Sequence, residues 1–76
     1  MNVVLIYGGR SGEHEISLVS CAAVARNISS RHSVSLISIS RDGKWYLEDS
    51  GIVQKLRGNP EMKLEVHADE SKRVSV

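Results

Sequence analysis

The chain reads as an α/β protein built on a βαβ unit with a parallel sheet, followed by short β-hairpin elements. Three observations predict this: an apolar run ended by paired glycines, a long segment free of glycine and proline, and a second run of alternating residues. Val3-Val4-Leu5-Ile6 is short, continuous and rich in β-branched residues, and Gly8-Gly9 stops it. That is the pattern of a strand buried on both faces, as in a parallel sheet. Residues 13–30 are rich in Ala, Leu and Val, so a helix of several turns follows. Ser11 or Gly12 is the expected N-cap, with Glu13 and Glu15 in the first turn where the helix dipole favours acidic groups. Residues 33–40 alternate, Val34, Leu36, Ile37 and Ile39 standing among serines, and form the second strand. Strand, helix and strand in this order give a parallel pair joined by a crossover.

On a helical wheel Ile16, Leu18, Val19, Cys21, Ala22, Ala23, Ala25 and Ile28 cover most of the circumference. Only Ser17, Ser20 and Asn27, with Glu13 above them, form a polar arc. A surface helix carries one apolar stripe of about 100° or a little more, so this helix is expected to be covered on more than one side. Asp42-Gly43 marks a turn, and Lys44–Leu47 returns as a short strand whose Trp45 and Tyr46 are expected to cover the sheet edge. Asp49–Leu56 reads as a short helix stopped by Gly58-Asn59-Pro60. Leu64–His67 and Arg73–Val76 read as two more strands around a polar turn at Asp69–Lys72. The chain stops inside the apolar pattern Val74-Ser75-Val76, which predicts a continuation beyond it.

Composition removes several function classes. The chain has 76 residues, enough for one small domain with a marginal core. One cysteine rules out an internal disulfide, and fits a reducing cytoplasmic setting. His14, His32 and His67 have no metal-ligand spacing. A net charge of +1 with interspersed signs gives no nucleic-acid footprint. The first apolar run is too short for a signal peptide or a membrane span.

Chemistry concentrates at Tyr7-Gly8-Gly9-Arg10-Ser11-Gly12-Glu13-His14-Glu15-Ile16-Ser17. Unpaired N–H groups at a helix start attract anions, and glycines let a ligand approach the main chain. The spacing of Gly8, Gly9 and Gly12 misses the dinucleotide fingerprint G-x-G-x-x-G, and no Gly-Lys-Ser/Thr ending makes a P-loop. Glu13 is the sharpest candidate. At the rim of a strand terminus a carboxylate can bind an ammonium group or orient a nucleophile. Its plain alternative is a first-turn glutamate that stabilises the dipole. Glu15 keeps that plain reading. His14, flanked by both carboxylates, is a base or a solvated imidazole. Cys21, among alanines with no basic neighbour in its turn, reads as a small core residue.

The block from Gly8 to Leu18, directly after an apolar strand, resembles the N-terminal signature of D-alanine–D-alanine ligases of the ATP-grasp superfamily. Ser38-Ile39-Ser40-Arg41-Asp42-Gly43-Lys44-Trp45-Tyr46-Leu47 is similar to that family's second strand and tryptophan turn. The resemblance implies the N-terminal part of a Rossmann-like (pre-ATP-grasp) domain, with residues 1–76 a truncated N-terminal substrate-binding domain. It implies a cytoplasmic, homodimeric parent that activates one D-alanine as an acyl phosphate with ATP and Mg²⁺. The amine of a second D-alanine then attacks, giving the dipeptide used in peptidoglycan. By the same resemblance Glu13 holds the ammonium of the first D-alanine and Ile16 packs against its methyl. ATP and Mg²⁺ would be held by domains outside this chain, leaving the fragment inactive alone. A D-alanine–D-lactate or D-serine ligase, and a free-standing small-ligand or protein-interaction module, remain alternatives.

Overall fold

A computed structural model of the chain describes residues 2–9, 14–29, 31–49 and 51–74, with His14 and Glu15 as helical backbone only. In chain order the elements are β1 (Asn2–Gly8), α1 (His14–Asn27), β2 (Ser33–Ile39), β3 (Trp45–Leu47), α2 (Gly51–Gly58), a 3₁₀ turn at Glu70–Lys72 and β4 (Arg73–Val74). The strands form one sheet in the order β1-β2-β3-β4. β1 and β2 are parallel, Leu5 beside Leu36 and Tyr7 beside Ser38, as the βαβ reading requires. β2–β3 and β3–β4 are antiparallel. The β2–β3 hairpin closes where Asp42-Gly43 predicted it: Gly43 adopts φ 87°, a conformation natural to glycine, and its N–H donates to Ser40 O at 2.9 Å.

Registers fix what each face carries. Tyr7, Ser38 and Tyr46 lie side by side across three strands, and all three are buried. Leu5, Val34 and Leu36 share that face, and Cys21, Ala22 and Ala25 of α1 and Ile52, Val53 and Leu56 of α2 complete a single core on it, closed by Leu64. Cys21 is thus a core residue, and burial pushes its thiol pKa up, away from a reactive thiolate. Two arginines tie the helices together in opposite senses. Arg26 of α1 donates through Nε to Leu56 O at 3.1 Å, and Arg57 of α2 donates to Ile28 O at 2.7 Å. Both accepting carbonyls lie at or just beyond the C-terminal end of a helix, where intrahelical donors run out.

Three sequence expectations need correction. β1 is not buried on both faces: Val4 is 54% and Ile6 49% exposed. The physical reason is that both helices pack on the Leu5–Tyr7 side, so the row Ile6–Ile37–Leu47 faces outward with nothing described over it. Within this chain α1 buries Cys21, Ala22 and Ala25 and leaves Ile16, Val19 and Val24 exposed, so the further cover expected of it is not supplied by the described residues. Trp45 and Tyr46 do not cover an edge, since β4 pairs beyond β3. Residues 64–67 form no strand. Their groups reach side chains instead: Tyr7 Oη donates to Glu65 O at 2.9 Å, and the His67 N–H donates to Glu48 Oε2 at 3.2 Å. The helix expected from Asp49 begins at Gly51, and the helix expected from Glu13 is described from His14. Ser11, Gly12, Glu13, Ser75 and Val76 lie outside the described residues.

Candidate functional site

β1 delivers the chain to Gly8 and Gly9, at φ 94° and 113°, backbone conformations that side chains rarely adopt. The pair turns the backbone off the sheet. A Cβ on Gly9 would meet nothing within 4 Å, so glycine is required there by the dihedral rather than by crowding. Two hydrogen bonds hold the turn. The Gly9 N–H donates to Ile39 O, the last residue of β2, at 2.9 Å. The Gly8 N–H donates to Ser17 Oγ in the first turn of α1, at 3.0 Å. Both amide protons thus have internal partners. The main chain of the glycine pair acts here as a structural joint, and residues 10–13, which lead into the helix start expected to attract an anion, lie outside the described residues.

Of the residues the sequence singled out, the structure places Ile16 at the start of α1, 65% exposed. A branched apolar side chain so open to solvent, beside the glycine turn and at the carboxyl end of β1, is free to pack against a ligand. Open α/β sheets bind their ligands at that end of the strands. Glu13 lies outside the described residues, as do the side chains of His14 and Glu15. A groove of about 810 Å³ runs between α1 and residues 60–68, lined by Leu18, Val19, Ala22, Met62, Leu64 and Val66 among others. It contains neither the glycines nor Ile16. The described part of the site is therefore one open wall.

The structure also contains a polar cluster that sequence reading missed. Glu48, directly after β3, is only 6% exposed. Its carboxylate accepts the Ser38 hydroxyl at 2.5 Å and the His67 N–H at 3.2 Å, and its other oxygen lies 2.5 Å from His67 Nδ1. Serine, histidine and a carboxylate invite comparison with a hydrolytic triad, but there the imidazole stands between hydroxyl and carboxylate. Here the carboxylate stands in the middle and Ser38 is fully buried. Buried as it is, Ser38 offers its hydroxyl to no substrate, and the cluster holds the segment around His67 against the sheet. Beside it, burial and then the nearby Glu48 carboxylate push the Tyr7 phenol well above its ordinary range. Tyr7 stays a hydrogen-bond donor. One signal for this cluster was legible: Ser38 alternates in phase with Leu36, so a hydroxyl had to point into the core and find a partner.

Comparison with known proteins bears on the family and the fold. The family model described as D-ala D-ala ligase N-terminus matches residues 2–75. The chain is 42% identical over 76 residues to the D-alanine–D-alanine ligase of Treponema denticola, covering 100% of this chain and 21% of that protein. It is 39% identical over 74 residues to the ligase of Treponema pallidum, covering 97% of this chain and 18% of the relative. The chain thus spans about a fifth of the length of these curated relatives. Among solved structures, the D-alanine–D-alanine ligase of Coxiella burnetii superposes with a TM-score of 0.66 at 28% identity, over 78% of this chain and 17% of that one. The VanG D-Ala:D-Ser ligase of Enterococcus faecalis gives 0.60 at 32% identity, over 74% and 17%. With a match that runs almost from end to end, the chain belongs to the family of the D-alanine–D-alanine ligase N-terminus.

Proposed function

We propose that this chain is the N-terminal substrate-binding portion of a D-alanine–D-alanine ligase, and that Glu13 and Ile16 grip the first D-alanine. The observation that carries the reading is the exposed Ile16 at the start of α1, beside the Gly8-Gly9 turn, within a family match over residues 2–75. The chemistry follows from residue types. The carboxylate of Glu13 pairs with the substrate ammonium, a charge-assisted contact about twice as strong as a neutral hydrogen bond. Ile16 removes the methyl from water, worth roughly 0.8 kcal/mol for one such group. Together they fix one end of the amino acid and leave its carboxylate pointing away for activation.

ATP, with Mg²⁺, supplies the phosphoryl group that activates this carboxylate. The described residues do not fit either group: both glycine amides are engaged, and no cluster of metal-ligating side chains occurs among them. Their sites belong to the rest of the parent, which we read as a cytoplasmic homodimer serving peptidoglycan synthesis. The outward apolar row Ile6–Ile37–Leu47 suits a surface covered by that remainder.

The test is phosphate release by the full-length protein with ATP and Mg²⁺. Release that depends on D-alanine alone supports the reading, and its absence contradicts it. The likeness to the D-Ala:D-Ser ligase favours one second reading, in which D-serine takes the second position. Mixed-substrate assays separate the two by the dipeptide formed.

A further inference from the structure

Ser17 is the residue through which α1 is locked to the strand that precedes it. Its hydroxyl oxygen accepts the Gly8 N–H at 3.0 Å, and no other side chain is described on that amide. The next amide, Gly9 N–H, is held by Ile39 O at 2.9 Å. The chain leaving β1 is thus pinned at two successive residues, once to β2 and once to the first turn of α1. Both pinned residues are glycines at positive φ, and the two hydrogen bonds hold their turn between β2 and α1. A serine within a helix ordinarily turns its hydroxyl to its own helix or to water. This one reaches across to a neighbouring element.

We propose that Ser17 is a positioning residue for the first-substrate site, a proposal that rests on the reading of Glu13 and Ile16 given above. Ser17 adjoins Ile16 in the chain and follows Glu13 by four residues. Fixing the first turn of α1 against β1 sets where Ile16 stands relative to the sheet edge. A displacement of about 1 Å at a binding group can cost on the order of 100-fold in rate, so an anchor outside the contact list still controls substrate use. Ser17 acts through its neighbours and need not touch D-alanine.

The experiment compares Ser17→Ala and Ser17→Thr in the full-length protein by steady-state kinetics, with thermal unfolding of each. Ser17→Ala removes the acceptor and is expected to raise KM for the first D-alanine roughly 10-fold, with KM for ATP unchanged. Ser17→Thr keeps the oxygen and is expected to restore it. If the alanine variant does not fold, Ser17→Cys replaces it, its thiol being a weak acceptor in the same place. Equal rises in both KM values, an unchanged first KM, or no rescue by threonine would overturn the proposal. Glu13→Gln is run in parallel. If that variant loses first-site affinity while Ser17→Ala does not, the Ser17 proposal alone fails. If Glu13→Gln behaves as wild type, the reading of the site itself fails.

Discussion

His67 Nδ1 lies 2.5 Å from Glu48 Oε1, although nineteen positions separate the two residues in the chain. The other carboxylate oxygen takes the Ser38 hydroxyl and the His67 amide, so one buried group fastens the segment after α2 to the sheet. Glu48→Ala removes every one of these contacts and leaves a fully buried hydroxyl without this acceptor. Breaking such a network costs about 3 kcal/mol. Urea unfolding of the two proteins should show a loss of unfolding free energy of that size, read as a lowered midpoint at unchanged m. Glu48→Gln keeps an acceptor oxygen and should lose less.

Ala68 adopts φ 46°, which makes it the one non-glycine residue with positive φ among those described. The hold of Glu48 on His67 precedes it and the Asp69 cap follows it, so the strain is imposed from both sides. Ala68→Gly should therefore stabilise the fold by about 1 kcal/mol, the left-handed penalty outweighing the greater freedom of unfolded glycine. A thermal midpoint raised by several degrees checks this; Ala68→Val should lower it.

Acid should loosen three turns. The Asp42 carboxyl pKa is held down first by the Ser40 hydroxyl, that of Asp49 by the Gly51 N–H, and that of Asp69 by the hydroxyl and N–H of Ser71. A carboxyl whose folded pKa lies below its unfolded value contributes stability that is full above about pH 3.9 and lost as pH falls through the lower folded value. All three groups are exposed, so each contribution is small. Asp69→Asn should be less stable than wild type near neutral pH, and the difference should shrink below about pH 3. Denaturation at the two pH values measures it.

Much of the fold was legible because its signals are local. The apolar run, the glycine pair, the Ala-rich helix and Asp42-Gly43 each determine a few neighbouring dihedrals, and β1, α1, β2 and the hairpin follow. The misreadings share one cause, which is contact at long range. Leu64-Glu65-Val66-His67 alternates like a strand, yet its partners are Tyr7 and Glu48, and among the described residues no strand pairs with it. A continuous apolar run such as Val3–Ile6 shows that a strand is apolar, without telling which face the helices choose. At the site, residue type and resemblance picked out Glu13 and Ile16. The part of Ser17 depends on how closely α1 returns to Gly8, a distance that no local pattern encodes.

The central claim is that Glu13 holds the ammonium of the first D-alanine, and Glu13→Gln in the full-length protein tests it most directly. The substitution keeps size and shape and removes the charge. Losing a charge-assisted hydrogen bond costs about 1.5–3 kcal/mol, so kcat/KM for the first D-alanine should fall roughly 10- to 100-fold while KM for ATP stays nearly unchanged. Wild-type kinetics for the first D-alanine in the same phosphate-release assay would contradict the account.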